Sequence, residues 1–154
     1  VGLIIPLTSP TPAHAKATGP GYFAPSTMGA APKHWLGAQQ PVTGDGKLAW
    51  CVELGPMPIE PGMTVTKETL TDAGAMTNYG GGDVDLTSIA QVAWILDKYE
   101  NVNTADSRAA ISMIMHFNLE TNKNSATSKA ELYRVWGWLQ ANHPAAANLA
   151  RKYV

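Results

Sequence analysis

The apolar residues of this chain change period near residue 85, and that change restricts its fold more than any other feature. From there on they recur at helical spacing. Asp85 is placed to cap a helix from about Leu86 to Tyr99, with Ile89, Val92, Ala93, Leu96 and Tyr99 on its apolar face. Thr104 is placed to cap a second, whose apolar set is Ala110, Ile111, Ile114, Met115 and Phe117, widened by Met113. Ser128-Lys-Ala-Glu131 reads as a capping box opening a third helix, with Leu132, Val135, Trp136 and Leu139 inward. Asn142-His143-Pro144 ends that helix, and Pro144 suits the first position of a fourth, continued by the Ala-rich 145–150 with Leu149 and Tyr153.

The first half has a different grammar. Residues 16–46 are rich in Gly, Pro, Ala and Ser, with aromatics at Tyr22, Phe23 and Trp35, and read as loops with one or two short strands. A turn signal at Thr43-Gly-Asp-Gly46 precedes an expected strand at 47–54. Alternation puts Leu48, Trp50, Val52 and Leu54 on one face of that strand, and Ala49, Cys51 and Glu53 on the other. Gly55-Pro-Met-Pro58 ends it, and residues 63–66 suit a further short strand. The expected fold is therefore α+β: a strand- and loop-rich N-terminal half carrying the cysteine, packed against a C-terminal bundle of three to four helices.

Residues 1–7 (Val-Gly-Leu-Ile-Ile-Pro-Leu), a Thr/Ser/Pro stretch and Ala13-His14-Ala15 read as the remnant of a secretory signal peptide. On that reading residues 1–15 are leader, and 16–154 form a single exported module. The chain carries 11 Lys+Arg against 12 Asp+Glu, a net charge of −1, with 15% of residues charged. This excludes a disordered polyelectrolyte and a strongly basic nucleic-acid binder. No apolar run reaches the roughly 18 residues of a membrane span. One cysteine excludes an internal disulfide framework and a zinc cluster of thiolates. His14, His34 and His143 lack metal-ligand spacing, Gly80-Gly-Gly-Asp83 lacks the phosphate-loop lysine, and Asp83 with Asp85 lacks the spacing of a calcium loop. No metal or cofactor is expected.

Cys51 is the residue on which function turns. It is read either as a small buried hydrophobe or, in an exported chain, as a thiol with a covalent fate. Trp50 and the aliphatic residues around it raise a thiol's pKa and keep water away, which suits a protected acyl thioester better than a free attacking thiolate. Ser112 and His116, four apart, share a helix face. A Cys51/His116 or Ser112/His116 pair, oriented by Glu53, would make a minor alternative: a Cys-His hydrolase or transferase.

Trp50-Cys51-Val52-Glu53 resembles the cysteine motif of thioester domains in surface proteins of Gram-positive bacteria. A helix such as Ile89-Ala-Gln-Val-Ala-Trp-Ile-Leu-Asp-Lys-Tyr99 follows in that family, then a second helix with a Gln-x-Ala-aliphatic-Trp motif. Arg108-Ala-Ala-Ile-Ser-Met-Ile-Met-His-Phe117 takes that place here, and the resemblance spans roughly residues 20–154. It implies that the Cys thiol and a Gln side chain condense, releasing ammonia. The thioester then acylates an amine or hydroxyl on a surface or host macromolecule, a single-turnover attachment at a cell surface or wall rather than turnover by an enzyme.

By helix order, the family's Gln falls on Ser112 and its Trp on His116. The glutamines of the chain are Gln39, Gln40, Gln91 and Gln140, and Gln91, in Gln-Val-Ala-Trp94, is the best substitute. The expected site thus has Cys51 supplying sulfur and Gln91 the acyl carbon, with Trp50, Trp94 and His116 shaping or shielding them. The alternative is a degenerate thioester-like domain with Ser112 at the Gln position, acting as a non-covalent binding or structural module. The residue across from Cys51 separates the two.

Overall fold

A computed structural model describes residues 19–27, 33–39, 48–52, 84–120 and 125–154. Within them the fold is α+β, with strands in the N-terminal half and helices in the C-terminal half. Strands β1 (Gly21–Pro25), β2 (Lys33–Gln39) and β3 (Ala49–Trp50) form an antiparallel sheet in the order β1-β2-β3. Helices α1 (Leu86–Tyr99), α2 (Ala105–Leu119), α3 (Ala126–Asn142) and α4 (Pro144–Tyr153) follow.

Strand β2 is buried from His34 to Gln39. Its alternation sends Leu36 into a core with Ala24, Ala109, Met113, Leu132, Val135 and Leu139. Trp35 points to the opposite face, where the paired Gly21 and Gly37 leave a slot for its indole. A methyl group at either glycine would come within 2.7 Å of the ring. Trp35 Nε1 donates to the Ala38 carbonyl at 3.0 Å, and Phe23 packs on the ring at 4.7 Å between centroids.

Each helix start has a local cause. Asp85 Oδ1 accepts from Ser88 N at 2.7 Å, and Thr104 Oγ1 accepts from Ser107 N at 3.2 Å. Both satisfy an amide with no partner inside its own helix. Helix α3 begins earlier than its expected capping box. Ser125 is the cap, its Oγ accepting from Ser128 N at 3.2 Å, so Ser128 stands inside the first turn. Glu131 is then free of any capping duty and turns into the interior. Pro144 opens α4 after His143, where a missing N–H costs nothing.

Helix α2 is the central element: it packs on β1, β2, α1, α3 and α4 and is buried along most of its length. A second core joins Val92 and Ile95 of α1 to Ala110, Ile111, Ile114, Met115 and Leu119 of α2 and to Ala150 and Tyr153 of α4. Trp50 and Val52 pack against this core, on one side as alternation required. The expected apolar face of α1 needs correction. Val92 and Ile95 are buried, Ile89, Leu96 and Tyr99 are half-buried, and Ala93 and Trp94 are exposed. Because α1 is covered mainly by α2, its buried stripe is narrow. Trp94, 51% exposed, meets Tyr99 edge-on at 6.2 Å.

A polar clasp joins the sheet to α3. Glu131 accepts from the backbone N–H of Thr27 at 2.9 Å and from its hydroxyl at 2.5 Å, from His34 Nε2 at 2.7 Å, and from Arg134 Nε and Nη2 at 2.7 and 2.6 Å. Arg134 Nη2 also donates to the Pro25 carbonyl. Nearby, Tyr22 donates to Asp106 at 2.8 Å and stacks on the His143 ring at 3.5 Å. The leader at 1–15, the turn at 43–46, the strand at 63–66, Glu53 and the glycine run at 80–83 lie outside the described residues.

Candidate functional site: a polar stripe along α2

Arg108, Ser112 and His116 of α2, and Glu120 at its C-cap, recur every four residues and so lie along one side of an otherwise apolar helix. All four are buried, at 6%, 0%, 1% and 2% exposure. Residues 50–52 run across this stripe. The Arg108 guanidinium lies 5.6 Å from the Trp50 ring centroid, a cation–π contact. One residue past Cys51, the Val52 carbonyl lies 3.1 Å from His116 Nδ1. A carbonyl only accepts, so Nδ1 carries the proton and donates it. Glu120 Oε2 lies 3.9 Å from the same nitrogen.

Ser112 therefore falls between the two residues of α2 that reach the neighbours of Cys51. Its Oγ is buried and has no hydrogen-bond partner. Cys51 itself is half-buried, just past the end of β3 rather than in mid-strand. The spacing of Ser112, His116 and Glu120 imitates a nucleophile, base and orienting acid. A working relay needs a hydrogen bond between base and nucleophile, and Ser112 Oγ makes none.

The expected site residues thus divide. The neighbours of Cys51 are the residues that reach α2: Trp50 meets Arg108 and the Val52 carbonyl meets His116, with Ser112 between those two on the helix. Gln91 is half-buried on α1, which packs against α2. Trp94 is on the same helix, about half of it open to solvent. Arg108 and Glu120 were not anticipated as site residues. Their spacing with Ser112 and His116 was the available signal, because four polar residues on one side of an apolar helix call for a common explanation.

Burial without complete pairing marks this region electrostatically. Arg108 Nε and Nη1, Trp50 Nε1 and, on β2, Gln39 Oε1 are buried with no hydrogen-bond partner. Burial lowers the Arg108 pKa, while the Glu100 carboxylate favours its charged form. Among the described residues no three His, Cys, Asp or Glu side chains gather as metal ligands, and no helix is long and apolar enough to cross a membrane. No family model, curated protein or solved structure matches the chain.

Proposed function

We propose that the chain is an exported cell-surface adhesion module of the thioester-domain type that holds its partner without a covalent bond. One observation carries this choice over the covalent reading. Ser112, the position that the resemblance assigns to the acyl-donating Gln, lies between Arg108 at Trp50 and His116 at Val52. A serine hydroxyl has no carboxamide carbon to present to Cys51, so condensation with loss of ammonia has no acyl donor at that place. The cysteine motif and the helix order support the family resemblance, and the leader pattern supports export. The partner is a surface or host macromolecule, engaged reversibly.

Intact mass before and after methylamine treatment tests this. The expected mass equals that of the sequence, with no methylamine gained and Cys51 alkylated by iodoacetamide once the chain is unfolded. The purified chain should also bind an immobilised host-cell surface and elute in denaturant with no adduct. A deficit of one ammonia with uptake of methylamine would overturn the proposal in favour of the thioester, and peptide mapping would show whether Gln91 is the acyl partner. Alkylation of folded protein, together with repeated turnover of an ester, would overturn it in favour of a Cys-His hydrolase.

A further inference from the structure

A cleft of about 370 Å³ opens where the end of the sheet meets the connection between α1 and α2. Gly19, Pro20, Ala38, Leu48, Asn101, Asn103 and Arg108 line it. The volume suits a ligand of about monosaccharide size. We infer that this cleft binds a small, hydroxyl-bearing carboxylate, with Arg108 as its anchor.

The first ground is the state of Arg108. A guanidinium carries five N–H donors and no acceptor, and burying them unpaired is costly. Arg108 is more than nine-tenths buried, yet Nε and Nη1 have no hydrogen-bond partner. The Trp50 ring compensates only part of the lost hydration. An oxyanion in the cleft supplies the missing acceptors through charge-assisted bonds. Since Nε and Nη1 are shielded from water, engagement takes a rotation of the guanidinium toward the cleft it already lines.

The second ground is the character of the lining. Arg108 is the one cation among the described lining residues, and the Glu100 carboxylate acts on it. One positive charge with an acid close by matches a monoanion and disfavours a phosphate dianion. Asn101 and Asn103 are exposed at the cleft, and each side-chain amide both donates and accepts, as sugar hydroxyls require. Pro20, Ala38 and Leu48 give an apolar wall for the carbon face of a ring. This inference is independent of how Cys51 is used.

Calorimetric titration of the full chain with D-glucuronate, D-glucose and inorganic phosphate tests it. Glucuronate should bind saturably, with glucose undetected and phosphate weaker by about tenfold or more. Arg108→Gln should weaken glucuronate by at least about tenfold, the scale of a lost charge-assisted bond. Because Arg108 is buried, its variant is checked by thermal unfolding. Asn103→Asp, an exposed change that places a negative charge at the cleft, supplies a second reading and should weaken glucuronate by about tenfold. Absence of saturable glucuronate binding, equal binding of glucose or phosphate, or unaltered affinity in folded Asn103→Asp would each overturn the assignment.

Discussion

Ser112 and Arg108 share one helix face and one defect, a buried polar atom without a partner, yet the consequences differ. A hydroxyl that bonds nothing contributes no hydrogen bond to the folded state and still loses its water on burial. Replacing Ser112 by alanine removes that cost and opens almost no space. The expected result is an unfolding free energy unchanged or raised by up to about 1 kcal/mol in urea titration. A clear loss of stability would mean that Oγ has a partner. Residues of this kind were only partly legible in the sequence. The four-residue interval between Ser112 and His116 was visible, whereas Arg108 and Glu120, at the same interval, were not singled out. Trp94 differs in the opposite direction, since its place in the helical pattern suggested a core-facing residue and the structure leaves it half exposed. Whether a side chain is covered depends on what packs over it.

The helices were legible because their signals are local. Caps, periodicity and the proline at the start of α4 each act within a turn or two of chain. Thr104→Ala and Ser125→Ala should each cost about 1 kcal/mol of stability, the usual loss of an N-cap side chain, measured by denaturant unfolding. The capping box expected at Ser128 failed because Ser125 offers the same hydroxyl chemistry three residues earlier. The strands show the reverse. Trp35 fits only because Gly21 and Gly37, on two strands, are placed side by side. Gly37→Ala should therefore destabilise by about 1–3 kcal/mol, because its methyl group meets the ring. Gly137→Ala, on the open side of α3 where nothing lies within 4 Å, should instead stabilise by about 0.5–1 kcal/mol. The same substitution is thus expected to have opposite signs in two elements, which thermal or urea unfolding would show directly.

Across the whole molecule, Glu131 links the sheet to the helices. Burial pushes its carboxyl pKa up, but hydrogen bonds from Arg134, Thr27 and His34 together outweigh this and hold it well below the ordinary value of 4.5. A depressed folded-state pKa stabilises the fold at pH above the unfolded-state value, and that contribution is lost as pH falls toward the folded value. Stability should therefore fall off below about pH 4.5, as followed by circular dichroism in urea across a pH series. Glu131→Gln should lower stability at neutral pH by about 3 kcal/mol, because Arg134 loses its charged partner, and should flatten the acid limb. An acid limb unchanged in the variant would place the pH sensitivity elsewhere.

The sequence by itself determined the α+β class, the helices and most of their starts, and the inward set Leu132, Val135 and Leu139. Those outcomes follow from backbone capping and from apolar periodicity, both of which operate over a few residues. Only the tertiary structure decided that β1 and β2 clasp α3 through Glu131, 104 residues from Thr27 and 97 from His34. It alone decided that residues 50–52 cross α2 at Arg108 and His116, with Ser112 between them. Contacts at such separations arise from how whole faces pack, and no local pattern of residues encodes them.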